Sequence, residues 1–315
     1  MEAAIPDLGY FAAREGCLES ELRITPLGGG VSNHVLLVES PSRRYVVKQA
    51  LAKLRVKEDW FSDRSRIWRE AEALRFLAPV VSGECVPEVL YEDRENYLVA
   101  MSVARGEQTW KSLLMTGEAT EAQAENIGRI HAELLRAGLR FDDAVVFDQL
   151  RLDPYYRFTA GRHPDLASYF EGAIERCGRR RSGLVHGDWS PKNLIVDGDH
   201  VTAIDFEVVH YGDPAFDAAF LLNHLLLKGF FQPRFGPLYQ RLRRAYWKVL
   251  DPDANIREGT LQHLPLLLLA RVDGKSPVEY IQDEAMKQRI RDFARAMLTA
   301  PPREAFAFVF DRAAD

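Results

Sequence analysis

The segment that most constrains the fold is "LVHGDWSPKNLIVDGDHVTAIDFE", residues 184–207. It sets Asp188, Asn193, Asp205 and Glu207 among short apolar runs that are typical of buried strands. Polar groups beside buried strands need partners or a function. The two apolar runs flank the turn sequence "DGD", which predicts a hairpin. We therefore expect the hairpin to return Asp205 to the end at which Asn193 lies.

The residue types and spacing of this segment indicate phosphoryl-transfer chemistry. Asn193 follows Asp188 by five positions, and Asp205 follows Asn193 by twelve. Two carboxylates and an amide oxygen suit Mg²⁺, a cation that takes oxygen ligands. A single Asp or Asn beside a turn more often caps its own backbone. The complete order, a catalytic loop, a short hairpin and then Asp-Phe, matches that of kinases.

With "HGDxxPxN" followed by "ID", the chain resembles the aminoglycoside phosphotransferase-like family of small-molecule kinases, which share the protein-kinase fold. The resemblance implies that Asp188 is the catalytic aspartate facing the substrate hydroxyl, with Asn193 and Asp205 as magnesium ligands. It also implies ATP and Mg²⁺ as cofactors and a small hydroxylated acceptor. His186 is expected to be structural. Glu207 stands where protein kinases have glycine, and either a buried contact within the loop or a metal contact fits it.

A glycine-rich turn in the N-terminal third fits the same function. The stretch "LGGGVSNHVLLV" contains Gly28, Gly29 and Gly30 between two predicted strands, followed closely by Ser32. Glycines allow backbone N–H groups to approach phosphates without obstruction. Glycine turns between strands are also common without any ligand. We interpret these four residues as a nucleotide-binding loop because the downstream motif is present.

Lys48 ends the predicted strand "RYVVK", from which a lysine could reach the α- and β-phosphates. An ordinary solvated lysine is the alternative. Glu70 or Glu72 of the helix "WREAEAL" could pair with Lys48, and the family register favours Glu70. We place Lys48 near a lobe surface, so its loss should leave the fold intact.

The stretch "LVAMSVARG" is interpreted as the linker between two lobes. In the family, such a linker offers one carbonyl and one amide to the adenine edge. By register these would be the backbones of Ser102 and Ala104, with Met101 lining the pocket. Backbone groups carry this recognition, so the side chains give little independent support.

Hydrophobic periodicity predicts a small sheet-rich lobe followed by a larger helical lobe. The family resemblance implies that this α+β, bilobal architecture is a protein-kinase-like fold. Residues 1–101 would form a small antiparallel sheet lobe with one main helix, which the proline at position 79 should end. Residues 102–315 would form a larger, mainly helical lobe that binds the acceptor, with 102–106 as the hinge. Asp213 and Asp217 are expected to cap a helix and brace the catalytic loop.

Composition excludes several classes of protein. The 315 residues carry a formal charge of −5, which does not favour binding to nucleic acid or to an anionic membrane. No secretory signal or membrane span is recognised, so we expect a cytoplasmic protein. Three widely spaced cysteines without a CxxC pair indicate reduced thiols.

Two other functions and the acceptor stay open at this point. A regulatory pseudokinase would be favoured by loss of Lys48, Asp188 or Asp205, and none is lost. A metal-dependent phosphoesterase would use His186, Asp188 and His200. Residues 251–315 contain 9 Lys and Arg against 11 Asp and Glu, which does not select an acceptor. Within them, Arg271 either caps a helix end or contacts the substrate.

Overall fold

The computed structural model describes residues 6–28, 32–55, 60–138 and 141–299. The N-terminal part is an antiparallel five-stranded sheet with strand order β1-β2-β3-β5-β4. Its strands are β1 (Arg23–Pro26), β2 (Asn33–Glu39), β3 (Arg44–Ala50), β4 (Val89–Asp93) and β5 (Leu98–Ser102). Alternating or β-branched residues predict a strand in each of these regions, at "ELRITPL", "HVLLVES", "RYVVKQA", "EVLYED" and "NYLVAMSV".

The two faces of this sheet pack into two different apolar cores. In β3, Tyr45 and Val47 pack with Phe11 of helix α1 (Leu8–Glu15) in a small separate core. Successive side chains of a strand alternate between faces, so Lys48 points the other way. That opposite face joins the main core and carries Lys48. The sequence analysis missed α1, which is only eight residues long.

Helix α2 (Arg66–Leu77) packs against the face of the sheet that carries Lys48. Its apolar residues at helical spacing, Ile67, Ala71, Leu74 and Leu77, are all fully buried. The helix ends two residues before a proline, as expected. The packing of α2 therefore sets where its polar side chains lie relative to the sheet.

The rest of the chain is mainly helical. The helices are α3 (Trp110–Thr116), α4 (Glu121–Arg136), α5 (Val145–Phe147), α6 (Phe158–Arg162), α7 (Ala167–Arg179), α8 (Ala215–Phe231), α9 (Gly236–Leu250), α10 (Ala254–Asp273) and α11 (Glu284–Thr299). A π-helix, Asp148–Arg157, joins α5 to α6, and 3₁₀ turns occur at Glu19–Glu21, Pro164–Leu166, Pro191–Asn193 and Pro233–Phe235. Helix α8 is buried along most of its length and packs against α10. A helix that is apolar on all sides belongs in the centre of a lobe.

Short strands position the catalytic segment on this helical core. They are β6 (Gln108–Thr109), β7 (Gly183–Val185), β8 (Leu194–Asp197), β9 (His200–Ala203) and β10 (His210–Gly212). Strands β8 and β9 form the predicted hairpin, in which Leu194 pairs with Ala203. Strands β7 and β10 pair on the other side of the segment. The catalytic loop is therefore held at both ends by strand pairing.

The predicted α+β class, with a sheet lobe followed by a larger helical lobe, is confirmed. Strand β5 ends at Ser102 and β6 begins at Gln108, so the linker lies between them. The lobe limits 1–101 and 102–315 stay a prediction. In the described part of the chain, no helix combines the length and apolarity that crossing a membrane requires.

Candidate active site

The catalytic loop is shaped by Gly187 and by a carboxylate beneath it. Gly187 has a φ of 78°, and a Cβ there would lie 2.7 Å from Cγ1 of Val208, so only glycine fits. Asp217, at the start of α8, accepts hydrogen bonds from the backbone N–H groups of His186 at 2.5 Å and Gly187 at 2.9 Å. Burial raises the pKa of Asp217 to about 7. Asp217 thus braces the loop as expected.

His186 is structural, because one ring nitrogen is used inside the loop and the other contacts the backbone after strand β9. Nδ1 accepts from the backbone N–H of Asp188 at 3.2 Å, and Nε2 lies 3.1 Å from the carbonyl oxygen of Ile204. Burial lowers the pKa of His186 to about 4, so the ring is neutral near pH 7. The ring ties the catalytic loop to the strand end that precedes Asp205.

Asp188 is a buried carboxylate between two cations. Its Oδ2 lies 3.0 Å from Arg151 Nη2 and 3.0 Å from Lys192 Nζ. Burial alone would raise the pKa of Asp188, but Lys192 and Arg151 lower it well below its usual range. The carboxylate is therefore ionised and able to accept a hydrogen bond from a hydroxyl.

The sequence analysis missed both cations. Lys192 lies within the quoted motif, four positions after Asp188, and this spacing is a signal that could have identified it. Arg151 comes from the π-helix and also donates from Nε to the carbonyl of Gly187. No feature of the sequence near Arg151 indicates that contact.

The hairpin brings Asn193 and Asp205 to the same end. The backbone N–H of Ile204 donates to the carbonyl oxygen of Asn193 at 3.0 Å, directly beside Asp205. Asn193 Nδ2 donates to the backbone carbonyl of Asp188 at 3.0 Å, which orients the amide. Asp205 adopts a left-handed φ of 74°, a strained conformation for a residue with a side chain.

The oxygen donors at this hairpin end fit a magnesium site of the kinase type. Asp205 supplies a carboxylate and Asn193 an amide oxygen, the hard ligands that Mg²⁺ takes. Among the described residues, no cluster of three or more His, Cys, Asp or Glu side chains could hold a metal. Kinase magnesium sites need no such cluster, since nucleotide phosphates and waters complete the coordination.

Lys48 is buried between two carboxylates, which corrects the expectation that it lies near a lobe surface. Its Nζ lies 2.7 Å from Glu70 Oε2 and 2.6 Å from Asp205 Oδ1, and the residue is 6% exposed. Burial alone would lower the pKa of Lys48, but Asp205 and Glu70 raise it, so the ammonium is charged. Glu70 also accepts from the backbone N–H of Phe206 at 3.0 Å, whereas Glu72 is exposed.

Glu207 makes a buried contact with the sheet lobe and not within its own loop. Its carboxylate accepts from Ser32 Oγ at 2.6 Å, Asn33 Nδ2 at 2.9 Å and Arg66 Nε at 3.0 Å. Arg66 also donates to the carbonyls of Ser32 and Leu51. The segment after the hairpin is thus joined to the strand that follows the glycine-rich turn.

The remaining nucleotide-site residues lie along the interface of the lobes, and their binding roles stay predictions. Met101 is buried in β5, Ser102 ends that strand and Ala104 follows in the linker. The N–H of Ser102 donates to the carbonyl of Glu88 at 2.8 Å. Gly28 follows β1 in open space, since a Cβ there would have no contact within 4 Å. Gly29 and Gly30 lie outside the described residues.

A cavity of about 310 Å³ opens beside Asp188 in the helical lobe. It is lined by Lys111, Tyr155, Asp188, Pro191, Lys192, Phe220, His224, Lys228, Arg271, Ser276, Pro277, Val278, Glu279 and Tyr280. Arg271 Nη1 donates to the hydroxyl of Tyr155 at 3.0 Å and to Ser276 Oγ at 3.1 Å. Arg271 is therefore part of the cavity wall.

Residues 23–253 match a family described as the "Phosphotransferase enzyme family". The chain belongs to this family. The match includes the glycine-rich turn, Lys48, the catalytic loop and the hairpin, and it ends before α10.

Comparisons with individual proteins are consistent with this assignment. Methylthioribose kinase of Escherichia coli O45:K1 is 25% identical over 276 residues, covering 74% of this chain and 65% of that kinase. This chain therefore spans just under two thirds of that relative. The amicoumacin kinase hAmiN, solved with AMP-PNP, Ca²⁺ and Ami, has a TM-score of 0.60 at 15% identity, covering 94% of this chain and 96% of that one. The streptomycin–ATP–APH(2″)-IIa complex has a TM-score of 0.53 at 17% identity, covering 96% and 99%.

Proposed function

We propose that this protein transfers the γ-phosphoryl group of ATP to a hydroxyl group of a small molecule. The observation that carries the proposal is the meeting of three groups at one place. The ionised Asp188 faces the cavity, the hairpin end holds Asn193 and Asp205 beside it, and Lys48 bridges Glu70 to Asp205. These are the parts that phosphoryl transfer needs for positioning and for charge stabilisation.

Each part has a separate task in the reaction. The acceptor hydroxyl, in the cavity, hydrogen-bonds to Asp188 and attacks the γ-phosphorus. The bond between the γ-phosphorus and the β–γ bridging oxygen breaks, a bond to the acceptor oxygen forms, and ADP leaves. The hydroxyl proton passes to Asp188 as a general base. Mg²⁺, when bound at Asn193 and Asp205, neutralises developing charge on the phosphates.

The sheet lobe would bind the nucleotide. Lys48, held between Glu70 and Asp205, reaches the α- and β-phosphates, and the glycine-rich turn with Ser32 covers them. The Ser102 carbonyl and the Ala104 amide would bind the adenine edge, with Met101 below it. A cytoplasmic location, with ready access to ATP, is part of the same proposal.

The alternative functions have less support. Lys48, Asp188 and Asp205 are all present and make the contacts that a kinase needs, which a pseudokinase would not require. A phosphoesterase would need His186 and His200 as ligands. Both ring nitrogens of His186 are engaged by backbone groups, of Asp188 and Ile204, and His200 lies 3.2 Å from Thr202 Oγ1 in β9.

Methylthioribose is one candidate acceptor, because the E. coli relative is a kinase of that name. Two measurements test the proposal as a whole. Mg²⁺-ATP should raise Tm, since a ligand that binds only the folded state stabilises it. A panel of hydroxylated metabolites should then contain an acceptor that releases ADP in proportion to phosphorylated product. A protein with no Mg²⁺-ATP-dependent rise in Tm would contradict the proposal.

A further inference from the structure

The cavity beside Asp188 carries an excess of positive charge. Its charged lining residues are four cations and two carboxylates: Lys111, Lys192, Lys228, Arg271, Asp188 and Glu279. The carboxylates are already paired, Asp188 with Lys192 and Glu279 with Lys111. Lys228 and Arg271 have no carboxylate within salt-bridge distance in the part of the chain that the structure describes. The net positive charge of the cavity wall thus comes from Arg271 and, when its amine is protonated, from Lys228.

Lys228 is the more unusual of the two. It lies on α8 with 0% of its surface exposed, and its Nζ has no hydrogen-bond partner among the described residues. The ring of Tyr280 is 5.4 Å away. A buried ammonium without a partner is costly, so a protein rarely keeps one without a use. Burial lowers the pKa of Lys228 to about 7.

Two further donors around the cavity lack partners. Arg271 Nε on α10 and the hydroxyl of Tyr280, which follows α10, are buried and unpaired among the described residues. With Lys228 on α8, they are donors from three separate segments around one cavity. His224 adds no charge, because burial holds its pKa well below the usual value. A group with several acceptor oxygens and negative charge would satisfy all three donors.

We infer that the acceptor is a small hydroxylated anion, whose carboxylate or phosphate group is bound by Lys228 and Arg271 while its hydroxyl faces Asp188. This inference rests on the proposed phosphotransfer function and specifies its substrate class. A polycationic acceptor such as an aminoglycoside would meet four cations in this cavity. An uncharged sugar would leave Lys228 without a counter-charge.

Matched pairs of acceptors test the inference directly. Each hydroxy acid is compared with the polyol of the same carbon skeleton: glycerate with glycerol, erythronate with erythritol, and gluconate with glucitol. A phosphate arm uses glycerol 3-phosphate and ribose 5-phosphate, and a cationic arm uses choline and kanamycin. Methylthioribose serves as the uncharged member suggested by the relatives. Mg²⁺-ATP-dependent ADP release and the shift in Tm are measured for every compound.

Lys228→Met provides the second measurement. It keeps a long unbranched side chain and removes the charged group, so kcat/KM for the anionic acceptor should fall by about 10- to 100-fold, the loss expected for a charge-assisted hydrogen bond. Because a buried unpaired ammonium is lost, Tm without ligand should rise by about 2 °C or more. Lys248→Met removes an exposed lysine of α9 that does not line the cavity, and it should change neither quantity.

The expected result is that anions of one arm are phosphorylated and raise Tm while their uncharged partners do neither; the arm that responds identifies carboxylate or phosphate. The inference is overturned if polyols, methylthioribose or amines are preferred, or if no anion acts while Mg²⁺-ATP binds. It is equally overturned if Lys228→Met keeps the parent kcat/KM for an anion. Failure of Mg²⁺-ATP to bind the parent would instead reject the proposed function.

Discussion

The nucleotide side and the acceptor side of this active site treat buried charge in opposite ways. On the nucleotide side, Lys48 has two carboxylate partners and Glu207 accepts three hydrogen bonds. On the acceptor side, Lys228 has no hydrogen-bond partner among the described residues and Arg271 has only neutral ones. Buried charges are thus paired on the nucleotide side and lack a counter-charge on the acceptor side of the described structure.

This difference separates general machinery from specificity. Groups that are fully paired hold their geometry at little cost and can serve any acceptor. Unpaired donors destabilise the protein without ligand, and a ligand of opposite charge satisfies them. The cavity wall, and not the catalytic loop, is therefore where this chain would distinguish its acceptor from those of other kinases.

The largest expected effect comes from removing the paired cation Lys48 from the nucleotide side. Lys48→Met leaves Glu70 buried without its cation, so the free energy of unfolding should fall by about 3–5 kcal/mol, and phosphotransfer should be lost. The double variant Lys48→Met/Glu70→Gln should recover most of the stability but none of the activity. Urea unfolding and ADP release measure the two quantities. If Lys48→Met were as stable as the parent, the buried pair of Lys48 and Glu70 would not contribute to stability as described.

The second prediction separates Asp188 from Asp205, the two aspartates that the proposed function places near the phosphates. Asp188→Asn should lower kcat by about 10²-fold or more, because a general base is lost, while Mg²⁺-ATP still binds. Asp205→Asn removes a metal ligand and a partner of Lys48, and it should weaken Mg²⁺-ATP binding together with turnover. Calorimetric titration of Mg²⁺-ATP into both variants decides. The reverse pattern would mean that the two roles are exchanged.

A smaller effect is expected for the link between Glu207 and Arg66. Glu207→Gln keeps the shape of the side chain but removes the charge that Arg66 contacts, so stability should fall by about 1.5–3 kcal/mol. Because Ser32 loses a charged acceptor, KM for ATP should rise as well. Glu72→Gln changes an exposed carboxylate on α2 and serves as the control. If the Glu207 variant were as stable as this control, the contact between Glu207 and Arg66 would not stabilise the protein.

The smallest expected effect is a pH dependence of kcat/KM that arises from Lys228 on the acceptor side. The pKa of Lys228 is lowered to about 7 by burial, with Lys111 and Arg271 also lowering it and Glu279 raising it. The ammonium is present below that pH, so kcat/KM for an anionic acceptor should fall above pH about 7, by at most about tenfold per pH unit.

Stability of the protein without ligand should change in the opposite direction. The unfolded chain, in which the lysine pKa is about 10.4, holds more protons than the folded chain between pH about 7 and that value. The free energy of unfolding of the parent therefore rises with pH across this window. Lys228→Met should lack that rise in thermal unfolding at several pH values. An identical pH profile for parent and variant would show that Lys228 does not titrate there.

Patterns in single segments predicted much of the fold and part of the site. The five strands, α2 and the β8–β9 hairpin follow from periodicity, and the choice of Glu70 over Glu72 agrees with the pairing that the structure shows. Helix α1 was missed because eight residues provide too little periodicity. Arg151 was missed because it contacts Asp188 from 37 positions away, a relation that no local pattern contains.

By itself, the sequence determined the order of the Asp188 loop, the hairpin and Asp205, because hairpin geometry follows from a few adjacent residues. Only the tertiary structure decided how charge is distributed between the two sides of the site. Residues 251–315 carry more acidic than basic side chains, yet the cavity is positive because folding brings Lys228 of α8 beside Arg271 of α10. Burial and pairing are properties of three-dimensional neighbours, and they convert an average charge into a local one.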